Sequence, residues 1–95
     1  MAEYRLSNTA KNDLIRIHHY GVVHFGVRHA DMYFNAFFDS FEMIAQMPFA
    51  FESVEYIRPG YRRCVCGVDS ILYRINGDVV EIMTIIGKQD LDQIP

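Results

Sequence analysis

The chain has 95 residues, 51% hydrophobic and 14% aromatic, enough for one domain (residues 1–95) around a single modest core and too apolar for general disorder. Nine Lys and Arg against twelve Asp and Glu give a formal charge of -3, which argues against a general nucleic-acid binder, whose domain pI is usually above about 9. No apolar run approaches the roughly 18 residues of a membrane span, and "MAEYRLSNTAKNDL" lacks the basic and apolar blocks of a signal peptide, so a cytoplasmic protein is expected.

In chain order, residues 2–6 alternate weakly and read as a short strand. Ser7, Asn8 and Thr9 follow, side chains that accept hydrogen bonds from the free amides of a helix start. From Ala10 the positions Leu14, Ile17, Gly21 and Phe25 fall at helical spacing, and Gly26 stands where a left-handed cap ends a helix. Gly21 is a weak point of that helix, worth about 1 kcal/mol against Ala. A second helix carries a broad apolar stripe of Ala30, Tyr33, Phe34, Phe37, Phe38, Phe41, Ile44 and Ala45, and Pro48 stops it. Aromatic residues at that spacing form a core face.

Residues 48–60, with Pro48, Pro59 and Gly60, suit a connecting loop. The period then changes to two. Residues 61–66, 70–76 and 79–86 read as three strands separated by Gly67-Val68-Asp69 and by the tight-turn signal Asn76-Gly77-Asp78. In the last strand Val80, Ile82 and Ile86 share one face and Val79, Met83 and Ile85 the other, so it is expected to be central. The fold class is α+β: an N-terminal strand, a helical hairpin, then a three-stranded antiparallel meander, with the helices on one face and the other less protected.

Three groups of residues invite a chemical reading. His18, His19, His24 and His29 lie on or near the first helix with Asp31 and Glu3 in reach, but they do not line one stripe, and no metal is expected. Cys64 and Cys66 point to one face of a strand, where a disulfide would be strained; they are expected to be buried, reduced thiols. The third group is a cationic segment. Residues 56–76 hold four Lys and Arg against one acid, whereas both flanking segments are acidic. Arg58, Arg62, Arg63 and Arg74 make up that excess, with Arg62 and Arg63 on opposite faces of their strand and Arg74 expected to align with one of them across the hairpin. Such a group is either a solvated edge with local carboxylate partners or an anion-binding surface for an acidic protein segment or a phosphate.

Leu6-Ser7, Ala10, Asp13-Leu14, Ile17, Tyr20, Phe25-Gly26, Tyr33 on an aromatic helix ending at Pro48, "RPGYRR", "ILYRI" and "VEIMTIIGKQD", in this order, resemble the ParE branch of the RelE/ParE toxin superfamily. The resemblance covers nearly the whole chain. It implies the toxin of a type II toxin-antitoxin module that acts on DNA gyrase, traps it on cleaved DNA and is neutralised by a ParD-like antitoxin in a hetero-oligomer. It implies no catalytic residues, no cofactor, no sequence-specific nucleic acid and no membrane. In that family the antitoxin wraps the toxin along the helical hairpin and over the sheet, which points to Arg58, Arg62, Arg63, Arg74 and Tyr73 as antitoxin contacts. The C-terminal region is implicated in target poisoning, which points to Lys88, Gln89 and Asp90. Here the last strand ends Ile86-Gly87-Lys88 where relatives often have His-Gly before a basic residue. A RelE-like messenger endoribonuclease is the enzymatic alternative, with Tyr61, Tyr73, the arginines and Lys88 beside Asp90 and Asp92 as its candidate groups. A relative that only binds antitoxin is a third reading.

Overall fold

The structure, a computed structural model, describes residues 3–87. Its elements are β1 (Glu3–Leu6), α1 (Asn8–Phe25), α2 (Val27–Gln46), β2 (Glu52–Ser53), β3 (Arg62–Cys66), β4 (Asp69–Asn76) and β5 (Val79–Gly87). They form the expected α+β arrangement. The five strands make one sheet in the order β1-β5-β4-β3-β2, with β1 parallel to β5 and every other pair antiparallel. β5 is therefore interior to the sheet. The segment expected to be only a loop also contributes β2, a two-residue edge strand pairing Glu52 with Arg63 and Ser53 with Arg62.

Ser7 caps α1 by accepting the Ala10 amide at 3.0 Å, and the same hydroxyl donates to the Met83 carbonyl at 2.7 Å. One short side chain thus starts the helix and docks it on β5. The docking site is a bulge: Leu72 pairs with Thr84 but Tyr73 with Ile82, which leaves Met83 as the extra residue. The bulge inverts the alternation beyond it. Ile85 and not Ile86 therefore enters the core beside Val80 and Ile82, correcting the face assigned by simple two-residue periodicity.

Beyond the end of β1, the edge of β5 is closed by Asp13 of α1. Its Oδ2 accepts the Thr84 hydroxyl at 2.7 Å and the Ile85 amide at 3.0 Å. A carboxylate in that position satisfies a backbone donor that no neighbouring strand reaches, at a contribution of about 1.5–3 kcal/mol per charge-assisted bond. Asp13 and Ser7 together clamp α1 across the bulge.

The helices run back to back. Gly26 is at once the last cap of α1 and the first of α2, at φ 93 and ψ 161. That is positive φ, as expected, but not the left-handed helical cap; it is the extended mirror region open essentially to glycine alone. Gly21 has a packing reason: a Cβ there would lie 3.1 Å from the Cβ of Ala30, so the missing side chain lets the two helices approach. Phe25, expected on the core face, is instead 64% exposed at the hairpin tip.

The core lies between the hairpin and one sheet face. Phe37, Phe41 and Ile44 of α2 are fully buried against Ile71, Tyr73, Ile82 and Ile85, with Ala10 and Leu14 from α1 and Cys64 and Cys66 from β3. Each large apolar side chain contributes about 1.5–3 kcal/mol by leaving water. The opposite sheet face is not bare. Leu72, cross-strand from Arg63, is fully buried and Ser70 nearly so.

Candidate functional site

The structure divides the cationic segment among three surroundings. Arg62 faces the core side of β3. Its Nη1 donates to the Phe51 carbonyl at 2.7 Å, and its guanidinium stands 5.1 Å from the centre of the Phe49 ring. Arg63 faces the other way, donating from Nε to Ser70 Oγ at 2.9 Å and from Nη1 to Glu52 at 2.8 Å. Arg58 lies in the exposed turn before β3, where its amide donates to the Val54 carbonyl and its own carbonyl accepts the Tyr61 amide.

Arg74 does not align with either β3 arginine, because Arg62 stands opposite Tyr73 and Arg63 opposite Leu72. Its cross-strand partner is Glu81 of β5, which it contacts at 2.7 Å. Arg5 of β1 is in register with that same Glu81. The row Arg5–Glu81–Arg74 crosses three strands on the outer face. The hydrogen bond from Arg74, helped by the charges of Arg74 and Arg5, draws the Glu81 carboxyl below its ordinary value against a smaller opposing effect of burial. Nothing in the sequence marks Arg5, and its proximity to Arg74 follows only from the pairing of β1 with β5.

Tyr73 is not available at the surface. The side chain is fully buried, and its hydroxyl donates to the Pro48 carbonyl at 2.6 Å. Burial pushes its pKa up to about 12, with a smaller lowering from Arg62. Its expected role as an antitoxin contact is therefore corrected: the ring fills the core and its hydroxyl anchors the turn after α2. Lys88, Gln89 and Asp90 lie outside the described residues.

A second feature is not visible in the sequence. Between α1, α2 and the β3–β4 turn lies a groove of about 510 Å³, lined chiefly by Ile17, Tyr20, Tyr33, Phe34, Phe37 and Val68. Its volume is in the range of sites that bury a ligand or a partner side-chain row. Tyr33 forms its floor. The hydroxyl lies 2.8 Å from the Cys66 carbonyl and 2.7 Å from Asp69 Oδ2, one donor shared between two acceptors. Burial, reinforced by the Asp69 hydrogen bond, raises the Tyr33 pKa. Gly67 makes this contact possible, since a Cβ at its φ of 59 would come within 2.5 Å of the Tyr33 ring.

Two of the four histidines, His18 and His29, line this groove. His18 Nε2 donates to Asp31 Oδ1 at 2.7 Å, clasping α1 to α2, while His24 stacks on Tyr20 with ring centres 3.9 Å apart. Among the described residues no three His, Cys, Asp or Glu side chains converge on a position that would hold a metal ion. Cys64 and Cys66 are free and buried, and burial is the first cause raising the pKa of each.

Residues 4–91 match the family described as the ParE toxin of the type II toxin-antitoxin system parDE. The chain belongs to the ParE toxin family. Toxin ParE1 of Caulobacter vibrioides is 40% identical over 86 residues, covering 90% of this chain and 88% of that protein. Among solved structures, the chromosomal ParDE toxin-antitoxin system of P. aeruginosa superposes with a TM-score of 0.81 at 20% identity, over 92% of this chain and 96% of that one. The toxin-antitoxin complex RelBE2 of Mycobacterium tuberculosis follows at 0.69 and 18%, over 92% and 98%. Those two likenesses establish the fold alone. This ParE-type chain is the toxin of a type II toxin-antitoxin system. Among its described residues no helix is long and apolar enough to cross a membrane.

Proposed function

We propose that this ParE-type toxin acts by docking on DNA gyrase and poisoning it, and that a ParD-like antitoxin neutralises it by occupying the hairpin groove and the arginine row of the outer sheet face. The observation that carries this reading is the state of the arginines. Arg63 is matched by Glu52 and Arg74 by Glu81. In-line cleavage of RNA by its own 2'-hydroxyl calls for cations left free to meet a phosphate, together with a general base and acid. Here Arg63 and Arg74 are already neutralised by carboxylates, Arg62 is spent on the Phe51 carbonyl and the Phe49 ring, and Tyr73 is buried with its proton held tightly. An acidic protein segment, by contrast, can exchange with Glu52 and Glu81 one ion pair at a time while its apolar side chains fill the groove. Both kinds of contact fit a segment that folds as it binds.

Within this reading Arg63 and Arg74 contact the antitoxin on the outer face, Arg62 and Arg58 contact it where it passes round the β3 edge, and Lys88, Gln89 and Asp90 contact the target. Arg5 joins the antitoxin set through Glu81. Binding of a ParD-like antitoxin measured for Arg63→Glu with Arg74→Glu should weaken by about 2–5 kcal/mol, the usual cost of breaking one side of a buried interfacial charge pair. Unchanged affinity would remove the outer face from the interface. Expression without antitoxin distinguishes the modes of action: growth arrest with broken chromosomal DNA and intact messengers supports gyrase, cleaved messengers support the ribonuclease reading, and normal growth supports a binder without toxicity.

A further inference from the structure

Helix α2 and its C-cap Met47 carry an exposed methionine stripe away from the buried face. Met32, Met43 and Met47 are 65%, 40% and 53% exposed, and on a helix of 3.6 residues per turn they fall within an arc of about 60°. That arc is centred about 120° from the buried side that carries Phe37, Phe41 and Ile44. Phe49, 70% exposed just beyond the helix end, extends the stripe. A helix apolar on two faces is ordinarily covered on both.

Between its two ends the charge along this face has one sign. From Ala30 to Ile57 the chain carries Asp31, Asp39, Glu42, Glu52 and Glu55 and no Lys, Arg or His. Asp31 is engaged by His18 and Glu52 by Arg63. Asp39 and Glu42 are exposed on the flank of the methionine stripe. Bases occur only at its ends: Arg28 and His29 in the first turn of α2, and Arg62 stacked beneath Phe49. Exposed methionines rimmed by carboxylates form an adaptable surface that accepts apolar side chains of varied shape and ranks partners by positive charge.

We propose that the Met32–Met43–Met47 face of α2 is a docking site for a basic amphipathic helix of a protein partner. It lies on a different side of α2 from the hairpin groove, and its acidic rim selects the opposite charge from that sought by Arg63 and Arg74. The chain thereby presents two surfaces of opposite electrostatic preference, so that an acidic and a basic partner segment engage it without competing for one site.

The test uses the whole chain labelled with carbon-13 at the methionine methyls and at the tyrosine and phenylalanine rings, titrated with a synthetic Leu/Lys amphipathic helix of about 18 residues, or five turns. A Leu/Glu helix of the same pattern serves as the control. The expected result is progressive shifts of the Met32, Met43 and Met47 methyls with the basic helix and none with the acidic one. The pair Asp39→Asn with Glu42→Gln should weaken binding about fivefold, and Met43→Gln with Met47→Gln by about thirtyfold or more. These four positions point to solvent, so the variants should keep the circular dichroism of the parent. Methyls that do not move, an equal response to the acidic helix, affinity indifferent to Asp39 and Glu42, or shifts confined to the Tyr33 and Phe34 rings of the groove would each overturn the proposal.

Discussion

Replacing Asp13 by Ala removes the clamp between α1 and the bulged end of β5, and the structure sets the size of the effect. The carboxylate accepts two hydrogen bonds, from Thr84 Oγ1 at 2.7 Å and Ile85 N at 3.0 Å, and its side chain is 16% exposed. Bonds to a charged group contribute about 1.5–3 kcal/mol each, and an orphaned, part-buried amide costs on that scale, though the Thr84 hydroxyl can turn to water. The expected loss is about 2–4 kcal/mol, a large share of the roughly 5–15 kcal/mol that holds a small domain together. Thermal midpoints of domains this size move by about 4–8 °C per kcal/mol, so a drop of about 8–32 °C is expected. Thermal unfolding followed by circular dichroism measures the drop, and urea unfolding the loss of free energy. Arg16→Ala is the control: Arg16 also touches Asp13, but at 3.4 Å and 64% exposed, and exposed pairs contribute about 0–1 kcal/mol. A loss for Asp13→Ala no larger than that of Arg16→Ala would refute the argument that Asp13 closes the β5 edge.

Other variants follow from the same geometry. Gly21→Val places methyls where a bare Cβ already meets Ala30 at 3.1 Å; it should cost about 1–3 kcal/mol in denaturant unfolding by forcing the helices apart. Glu81 is held below its ordinary pKa of 4.5 by Arg74 in the folded state, so its contribution is complete above that value and is lost as pH falls through it towards the folded-state pKa. Glu81→Gln should therefore flatten the acid side of the stability profile below about pH 4.5, and an unchanged profile would exclude the coupling. Burial raises the pKa of both cysteines, so iodoacetamide should modify them at a rate that tracks unfolding; rapid labelling of the native protein would contradict their place in the core.

Local signals carried much of the fold. Ser7 as a cap, the aromatic stripe of α2, the turns at Gly67 and Gly77 and the period-two strands are short-range patterns, and each stands where its spacing implied. What escaped the sequence is non-local. Nothing near Ser7 or Asp13 announces a partner more than seventy positions away on β5, and nothing in "AEYRL" says that it pairs in parallel with the last strand. The bulge at Met83 shifts the core face from Ile86 to Ile85 because one unpaired residue inverts a two-residue period. At the candidate site, alternation correctly parted Arg62 from Arg63, but Glu52 and Glu81 became neighbours of Arg63 and Arg74 only through strand register. Tyr73 shows the limit from the other side: a Tyr beside an Arg looks like a contact pair in sequence, and one residue of alternation sends the ring into the core and the guanidinium to the surface. Gly21, a defect by helix propensity, is explained only when Ala30 is seen opposite it.

Whether this toxin acts through gyrase is the central question. The most direct measurement incubates the folded, antitoxin-free chain with gyrase, ATP and supercoiled plasmid, then adds detergent and protease. Linear plasmid that disappears when a ParD-like antitoxin is added is the expected result. Undiminished supercoiling with no linear product, from protein that cleaves messenger on the ribosome, would contradict it.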